Sequence, residues 1–470
     1  MPNVMDNEKL KKRQSLKVII SEAIMVLTVV IMVAVLAFIV SGYWVNSDFK
    51  VERQGMLQVS SIPTGADLDI DGESSWLQRT NTSKVVASGE HTITLSKDGY
   101  DTWTKTIEVS EGLLYRIHYP RLFLQNRETE KVLSTTGAKL ATVSPDNKTL
   151  VLMNDTTEWQ KINLNSSVLE PQKLNLSKYL PGVSLAEGAT KGLFTGEILD
   201  SDWDRSGNHI LLKISTEGTI NWVLMDVNNV KNTINLSQEF GAAFSSVKIL
   251  DDSSSNLLAV QNGNLHKINL SDESISSVLV KNVHDFDYYE DEIVFSAAAD
   301  KPDSYTIGMV KADNGEVTEL ESSNQPAKVT ISKFYDDIYI TLLKDTSIAL
   351  YAKTDFKPVS NFTLSFAPAT MKVGHDGEFI IMTSGANIAT LDMEASSVRE
   401  WVIGGDDFGW LDNDMIYSVA DGELIVYDFD GLNRRVLAKN VSSHFPATIT
   451  DNKWLYYFSD GNLIRENLTR

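Results

Sequence analysis

From about Phe123 to its last residue, this 470-residue chain repeats one pattern eight times: a polar turn holding an aspartate, then a short apolar strand. The turn aspartates are Asp146, Asp204, Asp251, Asp291, Asp336, Asp376, Asp412 and Asp451, spaced 36 to 58 residues apart with a mean of about 44. The strands that follow read TLVLM, HILLKI, LLAVQ, IVFSA, IYITL, FIIMTS, MIYSVA and WLYYFS. After most of them a short turn leads into another strand, as in NGNLHKINL, TSIALYAK and DGELIVYDFD. A unit of 40 to 45 residues with four strands has the size of one blade of a β-propeller. The eighth unit holds only three strands, and Glu128 to Ser134 can supply the fourth and close a ring, which leaves few free strand edges. Eight units are expected, with seven as the alternative count. A pair of β-sandwiches or a long β-solenoid fits this period less well. The first interval is the longest and places an insertion between Asn165 and Glu197, read here as a long loop.

The order of polar turn, apolar strand, short turn and strand ending near Asp or Asn resembles the blades of TolB-like and YVTN-like propellers.

At the other end of the chain, 25 consecutive residues from Ala23 to Ser47 carry no charge. About 20 apolar residues cross the hydrocarbon core of a bilayer as a helix. The run is too long for a cleaved signal peptide, whose apolar stretch is usually about 7 to 15 residues, and no polar stripe marks it as a core helix. It is expected to be an uncleaved single-pass anchor, residues 23–47, preceded by a basic cytoplasmic tail, residues 1–22. Lys9, Lys11, Lys12, Arg13 and Lys17 hold that tail inside by the positive-inside bias, and Tyr43 and Trp44 suit the far interface. Everything after the anchor is then extracytoplasmic. Residues 1–44 hold five basic and three acidic side chains, a net +2, so of the total of -21 the remainder carries -23. Such acidity argues against nucleic acid as a partner. The chain has no cysteine, which excludes disulfides, thiolate metal sites and lipidation of a cysteine.

Between anchor and repeats, period-2 alternation runs from Gly55 to Gly72 around a Pro-Thr-Gly turn, and three further alternating runs follow, broken near Gly89, Gly99 and Gly112. This all-β segment, residues 53–124, resembles the PEGA domain through Gly55, Pro63-Thr64-Gly65-Ala66, Asp69-Ile70-Asp71-Gly72, Gly89 with His91, and Gly99-Tyr100. It departs from the family motif at Thr64, where Glu is expected. The resemblance implies a small, non-catalytic, extracytoplasmic prokaryotic β-sandwich, often beside a membrane helix. Residues 125–470 form the propeller.

Catalytic motifs are missing. The seven histidines show no H-x-H or HExxH spacing, and there is no G-x-S-x-G, P-loop or GxGxxG. Two D-x-D-x-D runs, from Asp67 to Asp71 and from Asp200 to Asp204, suggest calcium at first sight. The first has Gln78 where a calcium loop needs Glu and the second lacks its glycine, so turn chemistry is the expected role of both. Acidic pairs Asp336-Asp337 and Asp406-Asp407 are expected to be solvated turns. Trp103, Trp159, Trp203, Trp222, Trp401, Trp410 and Trp454 could stack on sugars but are expected mainly in the core. No catalytic, cofactor or metal residue is assigned. The expected function is a cell-surface binding or scaffolding platform, not an enzyme, for a protein or cell-envelope polysaccharide. The alternative is a carbohydrate-active enzyme with acidic residues in the propeller channel, for which two or more convergent, perturbed carboxyls there would be the sign.

Overall fold

A computed structural model describes residues 21–38, 43–45, 51–135, 137–189, 191–250, 255–354, 356–374, 376–405 and 407–469. The chain divides into two units, residues 1–125 and 126–470. In the first, helix α1 (Ser21–Phe38) is 18 residues long, and none of its residues is buried by protein. At 1.5 Å per residue it spans about 27 Å, long enough to cross most of a bilayer core. The helix does not extend through the whole charge-free run. Tyr43–Val45 is strand β1, paired antiparallel with residues 51–53. Aromatic and β-branched side chains favour the extended backbone, and Ser41-Gly42 just before them interrupts helical propensity.

Eight strands make two four-stranded sheets. One joins β1, β2 (Val51–Val59), β5 (Thr82–Ala87) and β8 (Leu114–Ile117); the other runs β4-β3-β6-β7, with β3 Asp67–Ile70, β4 Glu73–Arg79, β6 Gly89–Ser96 and β7 Trp103–Val109. The turn after Pro63 therefore carries the chain from one sheet to the other. Strand alternation decides which side chains face inward. In β7, Trp103, Ile107 and Val109 are buried while Thr104, Thr106 and Glu108 are exposed, and Leu57, Val59, Leu68, Ile93, Leu95 and Ile117 complete the core.

Among the described residues of the second unit there are eight four-stranded antiparallel sheets, over residues 138–175, 197–235, 246–275, 283–323, 328–363, 370–402, 407–439 and 448–467; the last is completed by β9 (Thr129–Ser134). Within each of the first seven, the strands pair in chain order. The second strands are largely buried on both faces, as at Leu150–Met153 and Phe379–Thr383, because neighbouring sheets cover both sides. Apolar clusters join each sheet to the next: Trp159 and Leu176 meet Ile210, Leu212 and Val223, and Ile381 and Ile388 meet Ile416 and Ile425. The seventh and eighth sheets are linked by Ile449 N–H donating to Leu411 O at 3.2 Å and by Ser442 N–H donating to Phe458 O at 2.8 Å. Leu150, Leu152 and Ile162 of the first sheet pack on Tyr456, Phe458 and Leu463 of the eighth, so the circuit closes. β9 pairs antiparallel with Asn462–Asn467, as the missing fourth strand required.

Tight turns between second and third strands use Asn262-Gly263, Asp421-Gly422 and Asp460-Gly461, with φ of 50°, 78°, 52°, 73°, 49° and 70°. Two successive positive φ values match a two-residue hairpin to strand twist, which only Gly and Asn or Asp tolerate well. The insertion is not an open loop. Val183–Ser184 pairs with Leu193–Phe194, and Leu180 and Phe194 are buried against Trp159.

Candidate functional site

The first strands of the second to seventh sheets border one cavity, and polar residues that break their apolar pattern meet there. A cavity of about 710 Å³ is bordered by Asp200 and Asp202, Lys248, Asp285 and Asp287, Lys328, Lys372 and Trp410. Four carboxyls face three ammonium groups, so the cavity is a mixed-charge site rather than a simple anion or cation trap. Lys248 is its centre: its Nζ donates to Asp287 Oδ1 and to Phe286 O, both at 2.9 Å. Burial alone would lower the Lys248 ammonium, but Asp287, Asp285 and Asp202 outweigh it and hold its pKa above the ordinary value.

Two of the carboxyls also fasten adjacent sheets. Asp285 Oδ2 accepts from Val329 N–H at 2.9 Å, and Asp287 Oδ2 accepts from the Thr330 hydroxyl at 2.6 Å and Ile331 N–H at 3.2 Å. Burial pushes the Asp285 carboxyl above the usual range despite the Val329 amide and Lys248. Burial also raises Asp202, against the pull of Lys248 and with the help of Asp200. Asp202 is exposed to the cavity's solvent and accepts from the adjacent Trp203 amide. It is the raised carboxyl in the cavity that is not fastening two sheets together.

Trp410 adds an apolar wall; its indole Nε1 is buried without a hydrogen-bond partner, and its ring lies 6.4 Å from Phe379 at 27°. Trp222 also borders the cavity but spends its indole N–H on Phe244 O at 3.0 Å. A second cavity of about 420 Å³ shares Asp287 and Val373 with the first and opens among the aspartate turns, beside Arg205, Tyr289, Lys333 and Tyr335. The Arg205 guanidinium lies 4.9 Å from the centre of the Tyr289 ring.

The sequence-level candidates fall elsewhere, with few exceptions. Trp103 and Trp159 are core residues, Trp203 donates to Thr142 Oγ1 at 2.8 Å, Trp401 packs on Tyr427, and Trp454 lies under Arg465. In the first D-x-D-x-D run, Asp69 accepts from Gly72 N–H at 2.7 Å. Asp71 accepts from Thr92 N–H at 2.8 Å and contacts the His91 ring at 2.6 Å, so both carboxylates serve the hairpin. In the second run, Asp204 is an inter-strand turn anchor that accepts from Asn208 and His209 N–H, while Asp200 and Asp202 face the cavity. Asp336 and Asp337 sit at an exposed turn. Asp407 is not in a turn: it opens a first strand and accepts from His444 N–H at 2.6 Å. Asp406, Asp251 and His375 lie outside the described residues. Asp376, Glu378 and Asp414 bring carboxylate oxygens within 4.8 Å of one another, close enough to share a hard cation.

Lys248, Lys328, Lys372, Asp285 and Asp287 were not singled out from the sequence. The signal was present: a charged residue interrupts the apolar first strand in SVKI, VHDFDYY, KVTISKF and TMKV, at about one repeat's spacing.

Residues 54–121 match the PEGA domain. No curated protein matches the chain. Among solved structures, the Dos1 propeller is 10% identical with a TM-score of 0.43, covering 73% of this chain and 95% of its own. Hsv2 of Kluyveromyces lactis is 10% identical with a TM-score of 0.41, covering 67% and 99%. An oligogalacturonate lyase in complex with manganese is 14% identical with a TM-score of 0.38, covering 58% and 89%. None reaches a TM-score of 0.5, and the ring rests on its own strand pairing and inter-sheet packing. The chain carries a PEGA domain at residues 54–121, followed by a β-propeller.

Proposed function

We propose that this is a single-pass membrane protein whose N-terminus is cytoplasmic and whose PEGA domain and propeller form a non-enzymatic, extracytoplasmic binding platform for a protein or a cell-envelope polymer. The observation that carries the tether is α1: its surface is largely apolar over 18 residues and none of those residues is buried by protein. Binding is assigned to the axial cavity, where Asp202, Lys372 and Trp410 offer a carboxyl, an ammonium and an aromatic wall to a ligand with mixed polarity. Protease treatment of intact cells tests the topology. Loss of the region after Asp48 with retention of the N-terminus is expected, and the reverse pattern overturns the reading. In-cell photo-crosslinking from a probe at Ser201, which also borders the cavity, with full-length protein should capture an envelope component in a way that Lys372→Ala weakens.

A second reading, a carbohydrate-active enzyme, is favoured by one observation: Asp202 and Asp285 both have raised carboxyls in the same cavity, the pattern expected of an acid-base pair. Against it, Asp285 is committed to Val329 N–H and a catalytic pair would need both groups free to meet a sugar. Incubating full-length protein with purified envelope glycans separates the two. Release of reducing ends that Asp202→Asn abolishes would establish the enzyme; binding without turnover supports the platform.

A further inference from the structure

The PEGA domain presents one sheet face whose composition is unlike the rest of this acidic chain. Strand pairing aligns Met56 with Val85 on one side and with Leu114 on the other, so three apolar side chains form a row across β5, β2 and β8. All three are exposed, at 43%, 55% and 42%, and Leu113 beside them is exposed at 61%. The neighbouring pairs on this face are Gln54 with Ala87 and Gln58 with Ser83, and Arg116 stands opposite Gln58. From Gln54 to Gln58 and its partners the face therefore carries one basic residue and no carboxylate, in a chain of net charge -21. The opposite face of the same strands is the domain core, where Leu57, Val59 and Ile117 are fully buried.

Chain connectivity says what lies near this face. Five residue steps separate Phe38, the end of α1, from Tyr43, so the two cannot be more than about 18 Å apart. The helix spans about 27 Å, close to the full thickness of a core of about 30 Å, so its end lies near the bilayer surface. Tyr43 opposes Arg53, and because β1 and β2 are antiparallel, β2 continues from Arg53 to Met56 in the direction from which the chain enters β1. Met56 is only three residues, about 10 Å, beyond that pair. The apolar row is thus held on the membrane side of the sheet by the covalent chain.

We infer that this face of the PEGA domain, centred on Met56, Val85 and Leu114, lies on the bilayer surface, with the apolar row in the headgroup region and Arg116 among anionic headgroups. The inference rests on the membrane tether proposed above. Apolar side chains in the interface and a cation beside anionic lipid are the two features that hold a protein surface against a membrane. The consequence is a fixed pedestal: the domain lies on the membrane rather than swinging from it.

The natural absence of cysteine makes the test clean, since any cysteine introduced is unique. Full-length Val85→Cys and Glu108→Cys proteins, each labelled with an environment-sensitive fluorophore, are reconstituted into vesicles of phosphatidylcholine and phosphatidylglycerol with or without brominated lipid. Glu108 is exposed on the other sheet and serves as reference. Quenching by brominated lipid should be several-fold stronger at position 85 than at position 108, and Met56→Asp should reduce it. Vesicle flotation is read on the same samples. Protein that floats while the position-85 label remains as aqueous as the reference overturns the docking and leaves the tether standing. Protein that fails to float overturns the tether and the docking with it. A blue shift at position 85 that grows with protein density but is blind to brominated lipid identifies a second copy as the occupant, and overturns lipid docking.

Discussion

Arg127 is where the propeller's closure can be tested most sharply. Its Nε meets Glu466 Oε1 and its Nη2 donates to Leu437 O at 2.7 Å, so one side chain ties the segment entering β9 to the strands of the seventh and eighth sheets. The pair is well buried, with 15% of the Arg127 side chain exposed and 4% of that of Glu466. Arg127→Met strands the carboxylate, and removing one partner of a buried pair costs about 3–5 kcal/mol. The Tyr457 hydroxyl still donates to Glu466 Oε2 at 3.1 Å. That remaining hydrogen bond offsets about 1 kcal/mol, leaving a net loss of about 2–4 kcal/mol. Urea unfolding of the full-length protein, followed by tryptophan fluorescence, measures the loss as a shift of the propeller transition. Arg127→Met with Glu466→Gln should lie closer to wild type than Arg127→Met alone, because the stranded charge is gone. A single variant within about 0.5 kcal/mol of wild type, the range of ordinary surface changes, would refute the clasp. So would a double variant no more stable than the single one.

Gly377 has φ +83°, and a Cβ there would lie 2.1 Å from Lys333 O of the adjoining sheet; Gly377→Ala should cost more than about 1 kcal/mol in the same urea assay. In the PEGA domain, the Asp71 carboxylate is held below its usual range by the Thr92 amide and by His91. Burial would lower His91, but Asp71 and the Ala87 carbonyl raise it on balance. The His91 contribution is therefore full below its unfolded pKa of about 6.5 and lost as pH rises through the higher folded value, while that of Asp71 is lost as pH falls below about 4. Thermal melts of the PEGA transition should fall between pH 6 and pH 8, and His91→Gln should flatten that slope; an unchanged slope would sink the pairing. Asp202 is exposed on its strand and fastens no second sheet, so Asp202→Asn should leave stability at pH 7 within about 0.5 kcal/mol of wild type while capture of the ligand weakens. Reduced stability in urea would show that Asp202 is structural.

Much of the architecture was legible because it depends on local chemistry. Asn262-Gly263 and Asp421-Gly422 mark hairpins through backbone sterics, and runs such as Phe379–Thr383 announce strands covered on both faces. The recurrence of those signals fixed the strand supply, down to the need for Thr129–Ser134 to complete the last sheet. The charge-free stretch marked a membrane-length segment, but not where the helix stops, because Tyr43–Val45 is held extended by pairing with residues 51–53. The insertion looked like an open loop for a similar reason: Leu180 and Phe194 gain their environment from Trp159, which is distant in sequence. The axial site was the least legible part. A lysine in SVKI or TMKV is an ordinary exposed strand residue until the strand is placed at the axis.

Sequence alone marked the repeating turn-and-strand pattern and its order along the chain, and the segregation of a +2 N-terminal segment from a remainder of -23. Periodicity and turn sterics act over a few residues, so a linear reading captures them. Tertiary structure decided which charges meet. Asp202, Lys248, Asp285 and Asp287 come from three different sheets, and the shifts of Asp202, Lys248 and Asp285 exist because the fold brings these groups together around one cavity. It likewise decided that Met56, Val85 and Leu114, widely separated along the chain, form one apolar row, since only strand register puts them side by side. Contacts between distant segments carry no local signature, and both the axial site and the membrane-facing row are made of such contacts.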